Sequence, residues 1–146
     1  MKTKFKLFLE DYVNPEYSWF EAIENGDIDN AKYHLQLYPE LINTMDTDDC
    51  TAIMIAIDNK YLNIVELLIG AKDVDLNLPD GVGWTPLMYA SMNNYIEAME
   101  LLINAGVNIK LTNDADLDFY DVAGKEAKIW IEKKFPTMKA TKRFKL

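Results

Sequence analysis

A chain with one histidine and one cysteine has few ways to build a nucleophile. His34 and Cys50 could form a thiolate–imidazolium pair only if the fold brought them within hydrogen-bond reach. His34 falls within an apolar-periodic stretch, where an imidazole is expected to pack, part-buried or outward. Cys50 falls in a turn 16 positions further on. The run Asp46-Thr47-Asp48-Asp49 has the oxygen density of a calcium loop, but it lacks the glycine that should follow and the distal glutamate at EF-hand spacing. It reads as an acidic turn. Asp114-Ala115-Asp116-Leu117-Asp118 reads the same way, with Asp118 placed to cap a following helix. Gly81-Val82-Gly83 lacks the third glycine and the preceding strand of a dinucleotide site, and no Gly-Lys-Ser or Gly-Lys-Thr phosphate loop occurs. The expectation is a protein that is not an enzyme, with no cofactor and no metal.

Composition narrows the class further. The chain of 146 residues is 49% apolar and has no low-complexity tract, so a packed core is within reach. No apolar run approaches the roughly 20 residues that span a bilayer, and Glu10 and Asp11 interrupt the Met1 to Val13 stretch before it could serve as a secretory core. With a single cysteine, no internal disulfide is available, which agrees with a reducing compartment. The expected location is a cytoplasm, the chain's own or a host's. The net charge of −9 is unevenly spread. Nine of the 15 basic residues sit at the two ends, leaving six among all 24 acidic residues between positions 7 and 132, a local balance of −18. Such a body repels nucleic acid and anionic membrane and favours fast association with a basic partner.

The elements that must position any site recur along the chain. Ala22, Ala56, Ala90 and Ala123 are spaced by 34, 34 and 33 residues. Around each lies a similar stretch: Tyr17 to Ala22, Thr51 to Ala56, Thr85 to Ala90 and Asp118 to Ala123. A small residue at that marker lets two helices approach closely. Thr85 before Pro86 is a helix start, Gly106 a helix stop, and Ser18-Trp19-Phe20-Glu21 is a capping box for the first helix. Second helices are expected at Ile28 to Leu37, Tyr61 to Ile69, Tyr95 to Ile103 and Lys125 to Phe135. One such helix pair is too small to bury its own apolar face, so the pairs must stack.

Gly83-Trp84-Thr85-Pro86-Leu87, Ile64-Val65-Glu66-Leu67-Leu68-Ile69 and Ala105-Gly106-Val107-Asn108, with Asn43 and Asn77 each eight residues before a Thr, resemble the ankyrin repeat. The resemblance covers residues 14 to 135 and implies an all-α solenoid of stacked helix-turn-helix units joined by β-hairpin-like turns. Its units are about 14–45, 46–79, 80–112 and 113–136. They are preceded by an extension at 1–13, packing on the first repeat, and followed by a basic tail at 137–146, for which charged, frayed ends are the simplest reading. The family's His is absent, with Phe20, Met54, Met88 and Asp121 in its place, mostly apolar packing positions. The turn Gly survives only as Gly83, with Pro15, Asp49 and Asp116 elsewhere, so the geometry of those turns is open. Extra residues at Tyr38-Pro39-Glu40 and Lys72-Asp73 should bulge, and the last repeat, several residues short, reads as a cap.

In the terms of that resemblance, turn tips and inner helix ends line a concave face that selects a partner. The candidate partner-binding residues are Glu24, Asn25, Asp48, Cys50, Asp58, Asn59, Val82, Trp84, Met92, Asn93, Asp114 and Leu117. Val82, Trp84, Met92 and Leu117 supply an apolar centre, and Glu24, Asp48, Asp58 and Asp114 an acidic rim. The function expected is a non-catalytic interaction module, monomeric when free, holding a protein with a basic surface, as an inhibitor or immunity protein of a basic enzyme would. The alternative is a secreted effector or adaptor acting on host proteins.

Overall fold

The computed structural model describes residues 14–143. Residues 1–13, where the sequence places a packed extension, and residues 144–146 lie outside the described residues. The chain divides into two compact units, Met1–Asp75 and Leu76–Leu146. The first contains α1 (Pro15–Glu24), α2 (Ile28–Leu37), a 3-10 helix (Pro39–Asn43), α3 (Ala52–Asp58) and α4 (Leu62–Ile69). The second contains α5 (Pro86–Met92), α6 (Ile96–Asn104), α7 (Lys125–Lys134) and α8 (Pro136–Arg143). Among the described residues there is no strand, only an antiparallel bridge between Met45 and Thr51, and the architecture is an all-α repeat fold.

Helix starts follow local chemistry. Thr85 caps α5, its hydroxyl accepting from the Met88 amide at 3.4 Å, with Pro86 in the first helical position. The expected Ser18 capping box is corrected. Helix α1 starts earlier, with Asn14 Oδ1 accepting from the Tyr17 amide at 3.1 Å and Pro15 in the first position, and Ser18 is buried inside the helix. An Asn–Pro start both satisfies an orphan amide and presets the backbone, which outweighs the later Ser-x-x-Glu signal.

The alanine period marks how each first helix ends. Gly26, Lys60 and Asn94 take left-handed φ values of 69°, 57° and 53°. The residue after each then donates its amide back to the marker carbonyl: Asp27 to Ala22 at 2.8 Å, Tyr61 to Ala56 at 2.9 Å and Tyr95 to Ala90 at 2.9 Å. These bonds satisfy helix-end carbonyls that would otherwise be orphaned as the chain reverses into the second helix. The second helices match their expected spans to within a residue at each end.

Asn43 and Asn77 do equivalent work one repeat apart. Asn43 donates to the Asp73 carbonyl and accepts from the Asp75 amide, both at 2.8 Å, within the first unit. Asn77 accepts from the Asn108 amide at 2.8 Å within the second. Each therefore fastens the loop that leaves the following helix pair, where Asp73 (φ 60°) and Gly106 (φ 86°) turn the chain. The connection after α2, expected to bulge, is taken up by the 3-10 helix.

In the first unit the core is Trp19, Ile23, Met54, Ile57, Ile64 and Leu68. His34 joins it at 1% exposure, its Nδ1 donating to the Asn30 carbonyl at 2.7 Å. In the second, Met88, Met99, Leu102, Phe119 and Ile131 are buried.

The last repeat departs from the others. No helix forms over residues 118–124; Asp118 Oδ1 instead accepts from the Tyr120 and Asp121 amides at 3.0 and 3.1 Å, closing a turn rather than capping a helix. Gly124 then caps α7 directly. The repeat before it clamps this cap: Ser91 Oγ donates to the Phe119 carbonyl at 2.6 Å, and Asn94 Oδ1 accepts from the Ala127 amide at 3.0 Å. Helix α8, part of the expected basic tail, is tied down by charge. Lys142 pairs with Asp118 at 2.8 Å and with Asp121, while Lys139 pairs with Glu132 at 2.8 Å, and Glu132 also accepts from the Tyr120 hydroxyl at 2.8 Å.

Candidate protein-binding surfaces

Every expected partner-binding residue sits on one of two recurring backbone features, a turn tip or the end of a first helix. The turn is built from an Asx residue. Asp46 Oδ1 accepts from the amides of Asp48 and Cys50, both at 2.9 Å. Asp80 Oδ1 accepts from Val82 at 3.0 Å and Trp84 at 2.8 Å. Asn113 Oδ1 accepts from Ala115 at 3.0 Å and Leu117 at 3.1 Å. In each turn the backbone amide of the Asx residue also donates to the carbonyl four residues on, at 2.9 Å. The residue between the two amide donors' ends is left-handed: Asp49 at 59°, Gly83 at 84° and Asp116 at 59°. The glycine-free turns thus keep the glycine turn's shape, because aspartate tolerates that region when its backbone is already anchored. An ordinary acidic turn is what the Asp46 to Asp49 run forms.

Within the first unit, Glu24 and Asp48 come together. They line a groove of about 480 Å³ with Tyr17, Phe20, Glu21 and Met45, and with Glu16 and Asp46 beside them. Asn25, Cys50, Asp58 and Asn59 do not line it. The amide groups of Asn25 and Asn59 instead donate to the Glu21 and Ile55 carbonyls of their own helices, at 2.9 and 3.0 Å. The Cys50 thiol leans on the Asp48 carbonyl at 3.7 Å. Tyr17, 68% exposed, was not foreseen as a site residue. Its signal lay in helical spacing, since Tyr17, Glu21 and Glu24 fall on one face of α1.

Within the second unit, the Asp114 amide donates to the Val82 carbonyl at 3.1 Å, so two successive turn tips touch. Val82 is 57%, Met92 42% and Leu117 39% exposed. Trp84 is half-buried, its ring edge-on to Tyr89 at 5.8 Å, and the Tyr89 hydroxyl donates to Asp80 Oδ2 at 2.7 Å. Asn93 forms the C-cap of α5.

Among the described residues no three His, Cys, Asp or Glu side chains are grouped to hold a metal ion, and no helix is long and apolar enough to cross a membrane. What the surfaces present is hydrogen-bonded turns, exposed apolar side chains and carboxylates.

Comparison with curated proteins finds no match to the chain. A family model described as ankyrin repeats (3 copies) matches residues 19–113, which runs from within α1 through α6 and leaves out α7 and α8. That span is well over half of the sequence, and on it the chain belongs to the ankyrin-repeat family.

Proposed function

We propose that this protein holds a partner with a basic surface against its acidic turn tips and helix ends, acting as an inhibitor or immunity protein of a basic enzyme. That it is a protein–protein interaction module follows from the family. The finer reading is supported by one observation above all, the thrice-repeated Asx turn. Its backbone is satisfied internally, so the side chains two and four positions on, Asp48 and Cys50 or Val82 and Trp84, vary without cost to the scaffold and are left to choose a partner. The charge of the body between the basic ends favours a cationic partner and fast encounter, in a cytoplasm of the chain's own cell or of a host. The non-catalytic reading is supported by His34, buried in the core, and by Cys50, held by its amide in the Asp46 turn.

The test is affinity capture from a lysate of the source, identification of the retained protein, and titration of its activity with this chain. A retained enzyme of basic pI that loses activity stoichiometrically is the expected result. A retained protein of acidic surface contradicts the reading.

A further inference from the structure

The groove in the first unit has a more distinct chemistry than the surface around it. Among the described residues, ten line it, five of them carboxylates and none of them basic. Among the described residues, the carboxylates of Glu21, Glu24 and Asp48 make no hydrogen bond and no ion pair, in contrast to Asp118, Asp121 and Glu132, which lysines neutralise. Like charges gathered without counter-ions repel one another, and a bound cation relieves that repulsion. Beside them the Tyr17 ring stands 68% exposed, and Met45 and Phe20 add apolar surface. An aromatic face next to carboxylates suits an arginine or lysine, whose stem packs on the ring while its head group meets the acids. The volume, about 480 Å³, lies within the range of about 300–1,000 Å³ that holds a small ligand or a few peptide residues.

We propose that this groove binds an extended basic segment of a protein partner, with an arginine or lysine among Glu21, Glu24 and Asp48 and an apolar side chain against Tyr17 and Met45. The inference rests on the reading of the chain as an interaction module and names the chemistry of one contact. Asp46 is committed to its turn, so among the described residues the recognition charge falls to Glu21, Glu24 and Asp48, with Glu16 beside them.

The experiment is fluorescence anisotropy with a fluorescein-labelled Arg-Phe-Arg-Phe-Lys peptide and its Glu-Phe-Glu-Phe-Glu counterpart. The full chain is expected to bind the basic peptide and not the acidic one. The double variant Glu24→Lys/Asp48→Lys should weaken binding at least tenfold. Tyr17→Ala, at an exposed position that leaves the core intact, should weaken it about fivefold. A control of equal charge change on exposed helix faces, Glu66→Lys/Glu100→Lys, should change it less than twofold. Circular dichroism establishes that all variants are folded. Equal weakening by the control overturns the proposal in favour of unspecific charge attraction. Binding seen only after deletion of residues 1–13 overturns it in favour of the chain's own Lys2 to Lys6 segment as occupant. Self-association in sedimentation that Glu24→Lys/Asp48→Lys abolishes overturns it in favour of a second copy. If the groove variants leave a captured partner's affinity unchanged while Trp84→Ala lowers it, the groove proposal fails and the interaction reading stands; if no variant changes it, both fail.

Discussion

Gly124 lies so close to Asn94 that a Cβ built on it would stand 2.3 Å from the Asn94 Oδ1. Its φ of −64° is open to any residue, so only the lack of space demands glycine. Gly106 is the reverse case, with φ at 86° and nothing within 4 Å of a Cβ. Gly124→Ala must therefore push Asn94 away and break its bond to the Ala127 amide, costing about 3 kcal/mol in chemical denaturation of the second unit. Gly106→Ala should cost about 1 kcal/mol, the strain of a left-handed alanine alone. Equal losses would mean the close approach is not rigid.

Thr51 and Thr85 hold the same place before α3 and α5, yet only Thr85 uses its hydroxyl. The Thr51 Oγ1 is buried with no hydrogen-bond partner, while Thr85 caps Met88. Thr85→Val should lower stability by about 1 kcal/mol, whereas Thr51→Val should be neutral or slightly stabilising because it removes a desolvated polar atom. Denaturation midpoints compared at constant slope decide this.

The ion pairs that hold α8 give the second unit a pH dependence with two limbs. Burial alone would raise the Asp121 carboxyl, but hydrogen bonds from the Lys142 ammonium and the Asp118 amide hold it below its ordinary value. Lys139, and then the Tyr120 hydroxyl, lower Glu132. Carboxyls depressed in the folded state contribute stability above their unfolded values and lose it as pH falls through the folded ones. Burial would depress the Lys142 ammonium, yet Asp118 and Asp121 outweigh it and raise it, while burial and Glu132 raise the Tyr120 phenol. Groups raised in the folded state contribute below their unfolded values and lose that contribution as pH climbs through the folded ones. Trp130 fluorescence should show α7 and α8 most stable between about pH 5 and pH 9, weakening on both sides. In Lys142→Gln the acid limb should shrink; an unchanged acid limb would separate Asp121 from the stability of this cap.

Much of this fold is readable in order along the chain, and the parts that are not share a physical cause. The alanine period, the Thr85–Pro86 start and Asn43 and Asn77 are local signals of hydrogen bonding and close packing, and the structure uses each of them. The ion pairs of α8 are different. Lys142 meets Asp118 and Asp121 from a helix beyond the period, and a charge pair across that separation leaves no periodic trace. The Ser18 box points to a later start of α1 than the one that forms, because Asn14 and Pro15 cap the helix first and leave Ser18 inside it. Left-handed Lys60 carries no sequence mark, since its backbone is set by the carbonyls of α3 rather than by its own type. The candidate residues Glu24 and Asp48 were foreseen, but Tyr17 and Met45 between them required knowing which face of α1 lies against the next turn.

Trp84 separates scaffold from site. Its edge-on contact with Tyr89 holds the ring, so a partner bound there would meet a side chain already ordered. Trp84→Ala is expected to weaken the captured partner's binding by about 2 kcal/mol while the helical signal persists. An unchanged titration would make Trp84 a packing residue of the turn only.

The central claim is that an anionic module captures a basic protein, and the association rate constant as a function of salt tests it most directly. Stopped-flow mixing with the captured partner, from ~0.02 M to ~0.15 M ionic strength, should show the rate falling by about tenfold, because screening shortens the reach of the −18 body between the chain's basic ends. A rate that stays constant across that range would contradict the account and leave the charge to solubility alone.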